Sequence, residues 1–257
     1  MGIVLFEVKE RIGFVTLNRP EKRNALSAEM VTELKKALSK AEQSSEVKVI
    51  VLRANGDVFS AGADLESLQK LQAFSHEENK SDSNHLKELL LQIYTMKKVV
   101  IAMLQGHAIA GGCGLATVCD FIFATPQVKM GYTEVRIGFV PAIVMVFLLR
   151  RIGERNAKQL LLSGKLVEAS EAYTLGLLNF VQKAEELEEA VLGFANELIN
   201  QNSLQSMQMT KQMIASVQSL SLEEGLDFAV EMNAKARGTE DCKRGIAAFL
   251  NKEKLNW

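Results

Sequence analysis

The stretch His107–Ala124, HAIAGGCGLATVCDFIFA, places a cluster of small residues directly before an apolar run. The small residues are Ala108, Ala110, Gly111, Gly112 and Gly114. The apolar spacing that follows predicts a helix to about Cys119 and then a strand over Phe121–Ala124. The first turn of a helix leaves backbone N–H groups without intrahelical partners, and small residues let another molecule approach them. The stretch is therefore a candidate binding site made of backbone.

A second stretch, Phe59–Asp64 (FSAGAD), shares this composition and also lies between a predicted strand and a predicted helix. Two such loops side by side would direct two N–H groups at one oxygen atom that gains negative charge. The alternative is that the glycines serve tight turns and close packing of helix on strand, which is favoured for an isolated Gly-Gly pair. The sequence has no GxxxxGK[ST] motif and no GxGxxG between a strand and a helix, so nucleotide binding is disfavoured.

The composition is that of a soluble globular protein with balanced charge, 47% hydrophobic and 24% charged. Among 257 residues, 30 Lys+Arg face 31 Asp+Glu, which argues against general affinity for nucleic acid or a membrane surface. The three cysteines form no CxxC pair, which disfavours a disulfide framework or a zinc site. An early acid, Glu7, makes the start of the chain unlike a secretory leader. We expect a cytoplasmic protein without a metal.

A strand–helix alternation runs along most of the chain and gives way to a helical tail. Two mostly apolar runs, Val49–Ala54 and Val99–Leu104, predict strands that are buried on both faces. Ser27 is a predicted N-cap of a helix that runs to about Ser45. From Asn202 onward the pattern predicts three helices and no strand. We therefore divide the chain into an α/β core, residues 1–200, and a helical part, residues 201–257.

The polar stretches give two further local predictions. Val4–Lys9 and Phe14–Leu17 flank a short polar turn and predict a hairpin. Residues 76–88, HEENKSDSNHLKE, lack an apolar periodicity and are predicted to be the most mobile segment. A helix is predicted only after them, near Leu86–Met96.

Five motifs occur in one order and at one spacing along the chain. They are LNRPEKRNALS (17–27), FSAGADLESL (59–68), AIAGGCGLATVCDFIFA (108–124), KMGYTEVRIGFVP (129–141) and the block from RRIGE (150–154) to LGLLN (175–179). Together they resemble the crotonase (enoyl-CoA hydratase/isomerase) superfamily over nearly the whole chain. The resemblance implies an α/β fold, a spiral of ββα units with a helical C-terminal part used for trimerisation. It also implies acyl-CoA thioester substrates, no cofactor beyond their CoA, and a homotrimer or dimer of trimers.

The resemblance also implies the roles of four positions. The N–H groups of Ala63 and Gly111 fall where the family binds the thioester oxygen, and Glu134 falls on a catalytic glutamate. A second glutamate, common in the family's hydratases, falls on Gly114 in this sequence. With one carboxylate, a single residue must handle both the water and the proton at Cα, or another group must hold the water. A Gly114→Glu variant is therefore expected to add or raise hydratase activity.

Three reactions remain open at this point. The motifs GCGL, EVRIGFVPA and IGERNA resemble those of bacterial methylglutaconyl-CoA hydratases. This resemblance implies a lyase of leucine degradation that acts on a short or branched 2-enoyl-CoA. A single carboxylate that moves a proton between two carbons resembles an enoyl-CoA isomerase. Decarboxylation through the same enolate is the third. A hypothesis of another class is an acyl-CoA or RNA binder without turnover, which the neutral charge balance and the retained Glu134 disfavour.

The remaining predicted contacts concern CoA and the acyl chain. The resemblance implies that CoA lies against Lys22, Arg23, Ala25, Ala61, Asp64, Leu65, Lys252 and Lys254. The acyl pocket is expected to involve Gly112, Gly114, Tyr132, Val140 and Pro141. The lysines and the arginine are equally well explained as solvated surface charge. For Tyr132, core packing is favoured over the orientation of water or substrate.

Overall fold

Ten strands form two sheets in the computed structural model, which describes residues 2–257 apart from the side chains of Leu65 and Leu71. The larger sheet has the order β1-β2-β3-β5-β7-β10. Its strands are β1 (Val4–Lys9), β2 (Ile12–Leu17), β3 (Val49–Ala54), β5 (Val99–Leu104), β7 (Phe121–Ala124) and β10 (Phe180–Val181). β1 and β2 form the predicted antiparallel hairpin, and all other neighbours are parallel.

The smaller sheet has the order β4-β6-β8-β9. Its strands are β4 (Val58–Ser60), β6 (His107–Ile109), β8 (Lys129–Gly131) and β9 (Val167–Glu168). β4, β6 and β8 are parallel, whereas β9 is antiparallel to β8. The pairs β3–β4, β5–β6 and β7–β8 each give one strand to the larger sheet and the next to the smaller one. Because a helix follows each pair, the chain forms the predicted spiral of ββα units.

Ten helices complete the described part of the chain. They are α1 (Ala28–Gln43), α2 (Leu65–Leu71), α3 (His76–Thr95), α4 (Gly111–Thr117), α5 (Ala142–Ser163), α6 (Ala169–Thr174), α7 (Leu187–Gln201), α8 (Leu204–Val217), α9 (Leu222–Arg237) and α10 (Glu240–Asn251). Ser27 caps α1 as predicted, since its hydroxyl accepts the N–H of Met30. The tail beyond Asn202 contains the three predicted helices, α8 to α10.

The inner strands β2, β3 and β5 of the larger sheet are buried on both faces, as the apolar runs predicted for β3 and β5. Along β3, Ile50 and Leu52 belong to one apolar cluster with α1 and α3, whereas Val49 and Val51 belong to a second cluster with α7. Side chains of a strand point alternately to opposite faces, so a continuous apolar run satisfies both clusters. This double burial fixes the register of the parallel strands and hence the position of the loops that follow them.

One local prediction is wrong. Residues 76–88 form the first turns of α3 rather than a mobile loop. Ser75 and Glu78 form a capping box, in which the serine hydroxyl accepts the N–H of Glu78 and the glutamate accepts the N–H of Ser75. The helix buries Leu89, Leu90 and Ile93, all in its second half, so its exposed first half lacks an apolar periodicity.

No helix within residues 2–257 combines the length and apolar character that a bilayer crossing requires.

Candidate active site

Three segments of the proposed site follow adjacent parallel strands of the smaller sheet. Ala63 comes three residues after the end of β4, Gly111 two residues after the end of β6, and Glu134 three residues after the end of β8. The carboxyl ends of parallel strands meet at the same edge of a sheet. The fold therefore gathers, at one edge, residues that are far apart in the sequence.

The loops that contain Ala63 and Gly111 are in direct contact. A Cβ atom built on Gly62 would lie 3.2 Å from the backbone nitrogen of Gly111 and 2.8 Å from the carbonyl oxygen of Ile109. Gly62 also has a positive φ of 87°, so glycine is required there both by conformation and by space. Ala110, which directly precedes Gly111 in the second loop, has φ 52° and ψ −124°. This conformation is strained for a residue with a side chain.

Hydrogen bonds of the neighbouring carbonyls fix the directions of the two N–H groups. The carbonyl of Gly62 accepts the N–H of Leu26 at 2.7 Å. In a planar trans peptide the N–H points away from the carbonyl, so the N–H of Ala63 points away from Leu26. Likewise the carbonyl of Ala110 accepts the N–H of Gly114 at 3.0 Å, which directs the N–H of Gly111 outward from the start of α4. Within residues 2–257, neither N–H has an acceptor.

Glu134 begins a short 3-10 turn that extends to Ile137. The N–H of Ala110 donates to the carbonyl of Gly131 at 2.8 Å, which ties the start of this segment to the Gly111 loop. Three residues then lead to Glu134, a span of at most about 11 Å. The Oε2 atom of Glu134 is buried and has no hydrogen-bond partner among the described residues. Burial raises the pKa of this carboxyl group, because the ionised form loses hydration.

Gly112 and Gly114 are buried, and neither position has room for a side chain. A Cβ atom on Gly112 would lie 2.7 Å from the Cβ and Oγ atoms of Ser60. A Cβ atom on Gly114 would overlap Cγ1 of Val144 and lie 3.0 Å from its Cβ. The space that a glutamate at position 114 needs is therefore filled by α5. The expected gain of hydratase activity in Gly114→Glu is not supported while Val144 is present.

The other predicted pocket residues differ in exposure. Tyr132 is completely buried and its hydroxyl lies 2.8 Å from the hydroxyl of Thr117, so it packs in the core and does not line a pocket. Pro141 is buried at the start of α5. Val140 is 66% exposed, so in a single chain it forms an open apolar surface.

Several predicted CoA contacts lie around the Ala63 loop. Lys22 is exposed and pairs with Glu66 at 2.8 Å. The carbonyl of Arg23 accepts the N–H of Ala61 at 3.0 Å, and Ala25 is buried next to this bridge. The side chain of Asp64 is not free, because it caps α2 and pairs with Arg19 at 3.0 Å. The side chain of Leu65, another predicted contact, lies outside the described residues.

Lys252 and Lys254 are not brought to these loops within one chain. Both are exposed, and neither side chain makes a hydrogen bond or ion pair with any residue between 2 and 257. The segment after α10 turns back, and the carbonyl of Trp257 accepts a hydrogen bond from Arg11 at 2.9 Å. Arg11 directly precedes β2, so the end of the tail lies at the edge where the sheet strands begin. The Ala63 and Gly111 loops lie beyond the opposite edge.

A cavity of about 770 Å³ lies away from the proposed site. It is bounded by α5, α8 and the starts of β5 and β7, and contains the ion pair of Asp120 and Lys211 at 2.7 Å. None of Ala63, Gly111 and Glu134 lines it. Its ion pair is satisfied, because Lys211 also donates to the carbonyl of Lys98 and Asp120 also accepts the N–H of Val100. The two amides and the Glu134 oxygen have no such partners. The unpaired groups therefore define the candidate site better than the volume does.

A spiral of ββα units, with two unpaired amides and a carboxyl group that has one buried oxygen at the same sheet edge, defines the crotonase class of α/β enzymes. A family model described as Enoyl-CoA hydratase/isomerase matches residues 7–257. The chain belongs to this family and is an enzyme of it.

Relatives of known name match this chain over nearly their full lengths. A Thermus thermophilus protein, whose name assigns it provisionally to the enoyl-CoA hydratases, is 42% identical over 95% of this chain and 96% of its own. The crotonyl-CoA hydratase of Syntrophomonas wolfei is 32% identical over 99% and 97%. The crystal structure of enoyl-CoA hydratase from Mycobacterium smegmatis superimposes with a TM-score of 0.94 at 27% identity, covering 100% of this chain and 99% of that one.

Sequence reasoning missed Asn24, Ser60 and Val144, which contact the loops of the site. Asn24 is fully buried and has a positive φ of 51°. The only sequence signal for this residue is its position in the RNAL motif. Ser60 and Val144 act through contacts with Gly112 and Gly114, and no local pattern reports such distant pairs.

Proposed function

We propose that this protein hydrates a short or branched 2-enoyl-CoA. One observation carries the proposal. The N–H groups of Ala63 and Gly111 have no acceptor, and the neighbouring segment contains Glu134, whose Oε2 atom is buried and unpaired. Two amides suit a thioester oxygen that gains charge, and a carboxyl group with a raised pKa suits proton transfer. The names of the Thermus and Syntrophomonas relatives, both hydratases, support the same reaction.

The proposed reaction uses Glu134 twice. The thioester oxygen accepts hydrogen bonds from the N–H groups of Ala63 and Gly111. Glu134 then removes a proton from water, and the water oxygen forms a bond to Cβ. The electron pair of the Cα–Cβ double bond moves toward the thioester oxygen, which gives an enolate-like state. Glu134 returns its proton to Cα, so water is added across the double bond and the carboxylate is regenerated.

The proposed acyl group is short or branched. The motifs GCGL, EVRIGFVPA and IGERNA resemble those of bacterial methylglutaconyl-CoA hydratases, which supports methylglutaconyl-CoA as the first candidate substrate. Ile143 and Val144 follow closely after Pro141 in the chain, and their branched side chains are proposed to limit the length of the acyl site. A site limited by these side chains favours compact acyl groups over long straight chains.

Isomerisation of a 3-enoyl-CoA is the second candidate reaction. It is favoured by the contact between Gly114 and Val144, which leaves no room for a second carboxylate at that position. One carboxylate can remove a proton from C2 and return it to C4 while the two amides stabilise the intermediate. The proton is conserved, so no water is needed.

The proposal includes a homotrimer or a dimer of trimers. The helices α9 and α10 pack mainly on α8 and on each other, and they expose Leu222, Val230, Phe249 and Leu250. Burial of such apolar side chains by another copy is favourable. A neighbouring copy is also the proposed source of Lys252 and Lys254 at the CoA phosphates. The three unpaired cysteines suit a reducing compartment such as the cytoplasm.

The test presents crotonyl-CoA, 3-methylglutaconyl-CoA and a 3-enoyl-CoA to the wild type, Glu134→Gln and Glu185→Gln. Loss of enoyl absorbance reports hydration, and its appearance from the 3-enoyl substrate reports isomerisation. We expect Glu134→Gln to lower kcat by about 10²- to 10⁴-fold with little change in KM. Glu185 is an exposed loop residue, so its variant should retain activity. Full activity of Glu134→Gln would contradict the assigned role.

A further inference from the structure

Ser60, at the end of β4, contacts both loops of the candidate site. It is fully buried, and its hydroxyl accepts the N–H of Gly62 at 3.3 Å. The same hydroxyl donates to the carbonyl of Asn24 at 2.8 Å. Ser60 therefore supports the turn that leads to Ala63 from inside the protein.

The same serine forms the floor of the second loop. A Cβ atom on Gly112 would lie 2.5 Å from the carbonyl oxygen of Ser60 and 2.7 Å from its Oγ. The residue next to this contact is Gly111, which carries the second free N–H. Ser60 consequently lies between the backbone segments that present the two N–H groups, and its size sets how closely they approach.

Asn24 holds Ser60 in this position. Asn24 is fully buried, and its Oδ1 atom accepts the N–H of Arg19 at 2.9 Å. Its Nδ2 atom donates to the carbonyl oxygens of Asn55 at 2.9 Å and Val58 at 2.8 Å. Both amide protons are thus used, so the carbonyl of Asn24 that accepts the Ser60 hydroxyl has a fixed place.

We propose that Ser60 is a positioning residue that sets the separation and direction of the Ala63 and Gly111 N–H groups, with Asn24 as its anchor. The inference rests on the proposed function, because it assumes that these groups bind a thioester oxygen. Ser60 acts through backbone and does not touch the substrate. A misdirected donor loses part of the stabilisation that a well-placed donor gives to the charged oxygen.

Three variants test this role. Ser60→Ala removes both hydrogen bonds and leaves the Gly62 N–H without an acceptor. Ser60→Cys retains a weaker donor and acceptor, so its effects should lie between those of alanine and the wild type. Ser203→Ala is the matched control. Ser203 is also buried, and its hydroxyl makes two hydrogen bonds, to Asp241 at 2.6 Å and from Ser206 at 3.0 Å, in the helical tail.

Two readouts distinguish positioning from general stability. The first is kcat and KM for the best enoyl-CoA. The second is the absorption maximum of bound cinnamoyl-CoA, which moves to longer wavelength when hydrogen bonds polarise its thioester carbonyl. We expect Ser60→Ala to lower kcat about 10- to 100-fold, less than the loss of a whole donor, with KM changed only a few-fold. The wavelength shift should shrink in the same variant. Ser203→Ala should lower the melting temperature but keep both kcat and the shift.

The possible results separate this inference from the proposed function. An unchanged wavelength shift in Ser60→Ala would overturn the positioning role, whatever the loss of kcat. Equal losses in Ser60→Ala and Ser203→Ala would also overturn it, since stability alone would then explain them. If the wild type shifts cinnamoyl-CoA but neither hydrates nor isomerises an enoyl-CoA, the proposed function fails while a smaller shift in Ser60→Ala still supports the inference. A wild type that turns over an enoyl-CoA without shifting the probe overturns the inference and leaves the proposed reaction standing.

Discussion

At the scale of single residues, the environment of Glu134 predicts the pH dependence of catalysis. Desolvation raises the pKa of this carboxyl group above its ordinary value of about 4.3. As the base that accepts a proton from water, Glu134 must be ionised. Activity should therefore fall with decreasing pH at a higher pH than an exposed carboxylate would give. Profiles of kcat/KM against pH measure this acidic limb. The residual activity of Glu134→Gln should lack it, and an acidic limb retained there would contradict the assignment.

The same burial predicts that Glu134 lowers stability. Between the ordinary carboxyl pKa and the raised pKa of the folded state, the native protein binds more protons than the unfolded chain. Stability then falls as pH rises through this interval. The Glu134→Gln variant lacks the cost of ionising a desolvated carboxyl group, so at pH 7 its free energy of unfolding should exceed that of the wild type. The gain should disappear near pH 4. Urea denaturation at both values tests this, and a variant that is less stable at pH 7 would contradict it.

The contact of Gly114 with Val144 predicts that even one methyl group at position 114 is costly. Gly114→Ala places its Cβ on Cγ1 of Val144, and overpacking of this kind costs about 1–3 kcal/mol. Removing the valine methyl groups in Gly114→Ala/Val144→Ala should restore part of the loss, since only the Val144 Cβ then remains close. Urea denaturation of the single and double variants measures the coupling.

A control separates crowding from helix propensity in that experiment. A Cβ atom on Gly225, in α9, meets no atom within 4 Å. Gly225→Ala should therefore stabilise the protein by about 0.5–1 kcal/mol. Additive effects of Gly114→Ala and Val144→Ala would show that the two positions do not compete for space.

At the scale of secondary-structure elements, two buried lysines cap helices. Each lysine directly precedes a strand of the larger sheet. Lys98 donates to the carbonyls of Ala41 and Ser44 at the end of α1, at 2.8 and 2.5 Å. Lys48 donates to Ile199 and Asn202 at the end of α7, at 2.5 and 2.7 Å. A positive charge at a helix C-terminus is favourable, and these bonds satisfy carbonyls that the helix leaves unpaired.

Lys48→Met should destabilise the protein increasingly with pH. Burial lowers the pKa of Lys48 to about 8, so between about pH 8 and 10.4 the unfolded chain binds more protons than the native protein. The contribution of Lys48 to stability therefore rises over this interval. At pH 7 the loss of two hydrogen bonds should cost about 1–3 kcal/mol. The difference from the wild type should be larger at pH 9.5.

Denaturation at both pH values tests this expectation. Lys9→Met is the control, because Lys9 is exposed on β1. A difference between the wild type and Lys48→Met that does not vary with pH would show that Lys48 titrates normally in the folded state.

The elements also show how far the sequence alone could predict this fold. Strands such as Val49–Ala54 were found because double burial leaves a continuous apolar run, and α1 because its cap and apolar face are local. The start of α3 was missed because its exposed first half has no apolar face, although Ser75 and Glu78 encode its cap. The family motifs indicated Ala63, Gly111 and Glu134. The packing of Val144 on Gly114 and of Ser60 on Gly112 joins distant segments, and no periodicity encodes it.

At the scale of the whole molecule, the exposed apolar side chains of the tail predict self-association. Leu222 and Phe249 are each 82% exposed, and Val230 is 70% exposed. Large apolar side chains that are exposed in this way are typical of an interface. We expect the wild type to sediment at three or six times the chain mass of 28.4 kDa.

A charge in this surface should break the assembly. Phe249→Glu must bury a carboxylate if the interface forms, which is costly without a partner charge, so the variant should sediment as smaller species. Asn251→Glu adds the same charge to an exposed polar position of the same helix and should leave the assembly intact. If Lys252 and Lys254 serve a neighbouring copy, Phe249→Glu should also raise KM for acyl-CoA substrates. A wild type that sediments as a monomer would contradict the interface. An unchanged KM in a dissociated Phe249→Glu variant would contradict the shared lysines.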